Sequence, residues 1–186
     1  MKVWILIFIC MFSMPLLVAV LHFRMRKGQI LKIRQDYVKN ARYFGRSFSA
    51  LVEKALPEMK NGTIMLSRQE KVLETDGKQE FVQPEIEDLV IARNTIFCPQ
   101  QEDLHFQKEI YSEKDALFVK ENIRIRAVYS KKRLLFGNKI RLLRWADAEH
   151  AVAVYDECDL GERVSSGEQL VIGFDNVFHS LYAPVI

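Results

Sequence analysis

The chain has 186 residues, of which 49% are hydrophobic and 27% are charged. This composition excludes an intrinsically disordered protein, and the length leaves room for one domain of ordinary size with an accessory segment. The formal net charge of +3 hides an uneven distribution, because residues 24–60 hold ten Lys and Arg against three Asp and Glu. Residues 61–186 are mildly acidic, with 16 basic and 21 acidic residues, which argues against a nucleic-acid partner.

The N-terminal region contains an apolar segment, residues 3–23, that carries no charge over 21 positions. A helix of that length spans a bilayer core of roughly 30 Å at about 1.5 Å per residue. Pro15 and His22 are tolerated in such helices. The sequence therefore predicts a transmembrane anchor over residues 1–23. A cleaved signal peptide is the alternative, although the apolar stretch is long for one and no clear cleavage site follows it.

A cluster of cations directly follows the anchor. These residues, here called the basic cluster, are Arg24, Arg26, Lys27, Lys32 and Arg34. By the positive-inside rule they predict a single-pass protein of the bacterial inner membrane whose C-terminal part lies in the cytoplasm. They are also expected to contact anionic lipid headgroups, each cation contributing about 1 kcal/mol. The scattered Cys10, Cys98 and Cys158 fit a reducing compartment.

Residues 24–60 are predicted to form a basic juxtamembrane helix, because apolar residues recur at three- and four-residue spacing from Ile30 to Leu56. Two placements are open for this helix. It can continue from the anchor as a solvated amphipathic helix, with Arg42 and Arg46 on its polar faces, or it can lie along the membrane surface.

Residues 61–101 are predicted to be a connector with short strands. Residues 63–75 indicate one or two strands with a turn, and residues 85–95 a strand that enters the next domain. The acidic residues Glu85, Glu87 and Asp88 are expected in a solvated turn, because no further ligand stands at a spacing suited to a metal.

Residues 102–186 contain an internal repeat, which is the most informative feature of the sequence. Four segments of 17, 17, 18 and 19 residues align, and a partial fifth follows. The segments are 106–122, 123–139, 140–157 and 158–176, followed by 177–186.

Each segment carries two pairs of apolar residues at i and i+2, which is the period of a β-strand. The first pair of columns consists of Phe106, Ile123, Ile140, Cys158 and Val177, with Ile125, Leu142 and Leu160 two positions later. The second consists of Leu117, Leu134, Val152 and Leu170, with Val119, Phe136, Val154 and Ile172 two positions later. Polar turns are predicted between the pairs, at Asp147-Ala148-Glu149 and Ser165-Ser166-Gly167 among others.

This pattern predicts a mainly β fold, a single-stranded parallel β-helix with about 17–19 residues per coil. Stacking coils about 4.8 Å apart joins the inward residues into continuous apolar columns. An antiparallel sandwich is the alternative fold.

The segment from Glu102 to Ile186 carries the motifs FxKEIYxExDAL, IRIRAVYSxxRLLFG and LRWADA. With these motifs it resembles the bactofilin family of polymer-forming cytoskeletal proteins. The resemblance implies a right-handed β-helix that stacks end to end into nonpolar filaments without nucleotide, at the inner face of the bacterial membrane. It also implies a scaffold for cell shape or envelope synthesis, with envelope-synthesis proteins as partners. The chain departs from the family in its long N-terminal part, which can cap one end of the solenoid.

The last segment leaves an apolar surface without a polar cap, and a solenoid exposes backbone groups and its core at an uncapped end. We expect this surface to form a self-assembly interface between copies, and an intramolecular cover is the alternative. Its residues are Val177, Phe178, Leu181, Tyr182, Val185 and Ile186.

No enzyme activity, cofactor or metal is predicted. The sequence contains no P-loop, GxGxxG, GxSxG or HExxH motif, and His105, His150 and His179 are expected on the surface or in turns.

Two other functions remain open. One is an adaptor that does not polymerise, with an aromatic and basic patch on its outer face formed by Arg126, Tyr129, Arg144 and Trp145. The other is an acyltransferase on a left-handed β-helix, which requires coils of a constant 18 residues with an apolar residue at every sixth position. The segment lengths argue against it.

Overall fold

The computed structural model describes Trp4 and residues 11–15, 17–18, 40–75 and 81–186. The chain divides into two units, Met1–Gln35 and Asp36–Ile186. The described residues of the first unit are helical and exposed. None of the helices formed by described residues combines the length and the apolar character needed to cross a membrane. Most of the predicted anchor, and the whole of the basic cluster, lies outside the described residues.

The second unit consists of a helix followed by short strands. The helix α1 spans Tyr43–Ala55, and a 3-10 turn spans Leu56–Glu58. The first strands are β1 (Thr63–Met65), β2 (Gln69–Glu74), β3 (Glu85–Ile86), β4 (Leu89–Ala92), β5 (His105–Ser112), β6 (Ala116–Phe118) and β7 (Arg124–Ser130). They are followed by β8 (Leu134–Phe136), β9 (Arg141–Ala148), β10 (Ala151–Val154), β11 (Arg163–Ser166), β12 (Gln169–Ile172) and β13 (Leu181–Tyr182).

The described strands from β2 onward pair in parallel and build a β-solenoid of about six turns, which confirms the predicted fold class. Register shifts divide β5, β7 and β9 into two segments each, so a full coil has three sides. The first side contains residues 105–106, 124–125 and 141–142. The second contains residues 109–112, 127–130 and 145–148 together with β2, β4, β11 and β13, and the third contains β6, β8, β10 and β12. Parallel stacking thus already begins at β2, within the predicted connector.

The core repeats at every sixth residue between positions 128 and 170. Each of these side chains is at most 1% exposed: Val128, Leu134, Ile140, Ala146, Val152, Cys158, Val164 and Leu170. On the third side Leu134 pairs with Ala116 and Val152, each 18 positions away. The predicted variable coil length is therefore wrong for most of the solenoid, and it does not argue against a hexapeptide-repeat enzyme.

The first predicted segment is misaligned with the others. Phe106 pairs with Ile125 instead of Ile123, because the register shift after Phe106 places an extra residue in β5. On the third side Ala116 and Phe118 are buried in the core, where Leu117 and Val119 had been predicted.

The last member of the first predicted column is also misplaced. Val177 forms a bridge with Asp159 and is exposed, and the Asn176 side chain instead accepts a hydrogen bond from the Cys158 backbone.

Each coil turns from the third side to the first through a residue with a positive φ. The φ angles lie between 54° and 58° at Asp103, Asn122, Lys139, Glu157 and Asp175. None of the five is glycine, although this left-handed region favours glycine. The ends of three predicted segments, at Asn122, Lys139 and Glu157, coincide with these corners.

The predicted turns on the second side are strands. Asp147 and Ala148 belong to β9, and Ser165 and Ser166 belong to β11. The buried serines of this side point into the solenoid, where Ser130 donates hydrogen bonds to the carbonyls of Lys114 at 2.7 Å and Arg133 at 2.9 Å. Polar residues are stable inside these strands because they satisfy the carbonyl groups of the following turn.

Helix α1 lies across the outer face of the second side. Val52 and Ala55 pack in one apolar cluster with Tyr111, Ala127 and Trp145 and with neighbouring strand residues. Neither predicted placement of the helix describes this arrangement, since residues 43–55 bury their apolar face on the solenoid itself.

Candidate interaction surfaces

The six residues of the predicted self-assembly interface lie together in the last coil and are largely open to solvent. Val177, Phe178, Tyr182, Val185 and Ile186 are between 45% and 73% exposed, and Leu181 is half-buried. Large apolar side chains that cluster on a surface are typical of contact sites. We call this surface the open end.

The backbone at the open end is also incompletely paired. Strand β13 pairs with β11 through Leu181 and Tyr182, and Val185 forms a single bridge with Gln169. Within the described part of the chain, no strand pairs with the opposite edge of β13. The N–H and C=O groups of that edge are free to pair with an added strand.

The other end of the solenoid has a different structure. Strand β1 pairs with β2 in antiparallel orientation, from Thr63 opposite Lys71 to Met65 opposite Gln69. The turn between them contains Asn61 and Gly62, both with positive φ. The nine-stranded sheet therefore ends here in a hairpin, which does not offer the parallel edge on which a further coil would stack.

The second side is covered, so the predicted aromatic and basic patch does not exist as an exposed surface. Trp145 is 6% exposed and Tyr129 is 3% exposed, because α1 lies over both. Phe48 of α1 contacts the Trp145 ring edge-on at 5.6 Å, and the rings of Tyr111 and Tyr129 stack at 5.7 Å. The expectation that these aromatic residues bind an outside partner is therefore wrong.

A buried ion pair fixes the start of α1 on the solenoid. Arg42 Nε lies 2.8 Å from Asp147 Oδ1, and the two side chains are 5% and 1% exposed. Arg42 also donates hydrogen bonds to the Ala148 carbonyl at 2.9 Å and to Glu149 at 3.1 Å, and Ser165 donates to Asp147 at 2.7 Å. Sequence reasoning placed Arg42 on a polar helix face and Asp147 in a turn, and no local signal joins residues 105 positions apart.

The electrostatics of this network follow from its burial. Burial raises the pKa of Asp147, although the Arg42 guanidinium and the Ser165 hydroxyl act in the opposite direction. Burial also acts on Glu149, but hydrogen bonds from Arg42 and Tyr129 outweigh it and lower the pKa of that carboxyl. The network is a structural clamp with its donors and acceptors paired, and no cavity beside it is needed to explain its charges.

The histidines are at the surface, as expected. His179 and His150 are exposed, and His105 is half-buried at the start of β5. His150 does have an acidic neighbour, since its Nδ1 lies 2.7 Å from Glu168 Oε1 on the next coil. Among the described residues, no group of three or more His, Cys, Asp or Glu side chains is arranged to hold a metal ion.

Comparisons with known proteins give no match: no family model, no curated protein and no solved structure is significantly similar to this chain.

Proposed function

We propose that the protein is a non-enzymatic scaffold that self-associates through the open end of its β-solenoid. The exposed apolar surface of the last coil, next to an unpaired strand edge, carries this proposal. Full burial of a side chain such as Val or Phe contributes about 1.5–3 kcal/mol. The open-end side chains are already partly buried, so pairing two such surfaces gains roughly half of that value per residue.

The difference between the two ends supports pairing of like ends. A second copy can meet the open end with its own open end, which forms an isologous contact about a two-fold axis. The β1–β2 hairpin leaves no equivalent parallel edge for head-to-tail stacking. The resemblance to polymer-forming bactofilins supports further growth into filaments, which requires a second contact surface on each copy.

Attachment to the bacterial inner membrane is part of the proposal. It is supported by the uncharged length of residues 3–23 and by the basic cluster that follows it. Flotation of the full chain with vesicles that contain anionic lipid tests this attachment, with resistance to high salt and alkaline carbonate expected of a spanning segment. Extraction by salt alone would support binding through the cations only.

The self-association is tested on the full chain in a mild detergent by sedimentation velocity and negative-stain microscopy. We expect dimers or longer assemblies for the parent protein, and a shift toward monomer in a Phe178→Arg/Val185→Arg variant, because both side chains are more than half exposed. Met65→Arg is the matched control, since Met65 is an exposed apolar residue at the hairpin end.

The outcomes separate the functions. Assembly that survives the open-end substitutions would exclude this end as the interface. A parent protein that is monomeric at all concentrations would favour the membrane-tethered adaptor, with envelope-synthesis proteins as the partner class to search.

A further inference from the structure

The third side of the solenoid has an apolar outer face. Leu117 pairs in register with Leu135, Leu135 with Ala153, and Ala153 with Val171. These four residues alternate with core residues of the same strands, so their side chains form one row on the outside. Three of them are half-buried and Val171 is 52% exposed. We call this row the outer strip.

The strands of the third side have the sequence of strands that are covered on both faces. Residues 116–119 and 134–136 are unbroken apolar runs, and residues 151–154 contain only Ala and Val. Strands with one solvated face show an alternation of apolar and polar residues, whereas continuous apolar runs are typical of strands buried on both faces. The sequence thus carries a signal for a cover over the outer strip.

The other two sides show what the outer strip lacks. On the first side, the outward residues His105, Arg124 and Arg141 are polar and suited to solvent. On the second side, the outward residues Ala127 and Trp145 are apolar and are covered by α1. The outer strip is apolar like the second side, but α1 lies on the second side and leaves the strip accessible.

The charges beside the outer strip change sign along the solenoid. Residues 113–122 and 131–139, which contain β6 and β8 with their flanking turns, hold six Lys and Arg against three Asp and Glu. Residues 149–157 and 167–175, which contain β10 and β12, hold five Asp and Glu and no Lys or Arg. One half of the border is therefore basic and the other half acidic. Lys114, Lys120 and Asp175 form no ion pair within the described part of the chain.

We propose that the outer strip docks on the outer strip of a second copy, with the two solenoid axes running in opposite directions. A two-fold axis parallel to the strands reverses the order of the coils and keeps each border on its own side. Lys114 then faces Glu168 of the second copy, and Lys120 faces its Asp175. The alternative pairing, with parallel solenoid axes, would place basic over basic and acidic over acidic, so the charge pattern selects the antiparallel dimer.

The size of the strip sets the expected strength of this contact. From the strand and coil spacings it measures roughly 15 by 13 Å, so even with its borders it is smaller than the ~800 Å² per partner of a standard interface. We therefore expect a weak dimer whose affinity falls with salt, because much of its orientation comes from exposed charges.

This inference uses a different surface from the open end and does not depend on the proposed function. If both contacts form, each copy carries two isologous interfaces. Alternation of two such interfaces produces either a closed tetramer or an open polymer. The outer strip thus provides the second contact that growth beyond a dimer requires.

The test uses the full chain in mild detergent, with Phe178→Arg/Val185→Arg as the background so that association through the open end is removed. Sedimentation equilibrium at low salt measures the dimer dissociation constant. We expect Val171→Lys to weaken the dimer at least tenfold. Leu143→Lys is the matched control, because Leu143 is 41% exposed on β9, outside the outer strip, and its change should leave the dissociation constant unaltered.

A charge swap tests the orientation. Lys114→Glu/Lys120→Glu should weaken the dimer about tenfold, and adding Glu168→Lys/Asp175→Lys should restore it to within about threefold. A background protein that stays monomeric at all concentrations overturns the proposal, and so does a dimer indifferent to Val171→Lys. Failure of the four-residue swap to restore affinity would exclude the antiparallel arrangement. If the open-end substitutions themselves change nothing, the proposed function fails while this test remains valid.

Discussion

Gly45 of α1 lies directly against the side chain of Asp147 in β9, so that a Cβ atom at position 45 would overlap with the Cβ and carboxylate of Asp147. The helix therefore approaches the solenoid at a point where only glycine fits.

The first prediction concerns this close approach. Helix propensity alone would make Gly45→Ala stabilising by about 1 kcal/mol. Because the added methyl group has to displace Asp147, we expect Gly45→Ala to lower the free energy of unfolding by about 1–3 kcal/mol in urea titrations followed by circular dichroism. Ala50→Gly, at an exposed position of the same helix, is the control and should cost about 1 kcal/mol from propensity. A stabilised Gly45→Ala variant would contradict the packing.

The second prediction concerns the buried ion pair. Replacing Arg42 by Met leaves the Asp147 carboxylate buried without its main partner, and we expect a loss of about 3–5 kcal/mol in the free energy of unfolding at neutral pH. Arg46→Met, at an exposed position one turn later, should change it by less than about 0.5 kcal/mol. A double variant that replaces both members of the pair by apolar residues should regain much of the loss.

The pH dependence of the Arg42→Met variant follows from the pKa of Asp147. Burial already raises this pKa in the parent protein, and loss of the guanidinium raises it further. A raised folded-state pKa favours the native state below the unfolded value and is a cost once the pH passes the folded value. The stability deficit of the variant should therefore be largest at neutral pH and shrink on acidification. Urea midpoints measured from pH 4 to pH 8 check this, and a deficit independent of pH would contradict it.

The third prediction concerns the left-handed corners. Glu157 is exposed and has a φ of 58°, a conformation that costs a residue with a Cβ about 1–2 kcal/mol. After the larger backbone entropy of glycine in the unfolded chain is subtracted, Glu157→Gly should stabilise the protein by about 0.5–1 kcal/mol. Glu157→Ala removes the same charge and keeps the strain, so it should not stabilise. Equal melting temperatures for the two variants would show that the corner is not strained.

The fourth prediction concerns the thiols. Cys158 is buried in the core, its Sγ lies 3.0 Å from the Gly137 carbonyl, and burial raises its pKa. Because the thiolate is the reactive form, Cys158 should react with a thiol reagent at neutral pH only as fast as the solenoid opens. The half-buried Cys98 should react well ahead of it. Labelling is measured in a Cys10→Ser background, and fast labelling of Cys158 would contradict its place in the core.

The sequence predicts the solenoid because apolar residues at i and i+2 recur in columns, and Ile125, Leu142 and Leu160 are indeed stacked in the core. It hides the three-sided coil, because Ser130 and Ser166 point inward on the second side and their polarity suggests a turn. Such serines cannot be distinguished from turn residues until the carbonyl groups that they satisfy are known.

The surfaces were less predictable than the core. The residues of the open end were identified from their apolar character, and their exposure agrees with that choice. The cover of Tyr129 and Trp145 by α1 was missed, because the helix pattern gives the apolar face of α1 but not what it contacts. The outer strip was missed for a different reason. A misalignment by one residue placed Leu117 in the core, although the unbroken apolar runs around it were visible.

The position of α1 has a consequence for how the solenoid unfolds. A stack of coils in which each coil touches only its neighbours can melt coil by coil from either end. Helix α1 contacts Tyr111, Ala127 and Trp145, which belong to three successive coils, and so ties them together. These coils should open as one cooperative unit with strongly protected amides. The coil of β13 lies beyond this tie and is free to fray alone, so the part of the molecule that we propose meets a second copy is also the part that can most easily adjust its shape to it.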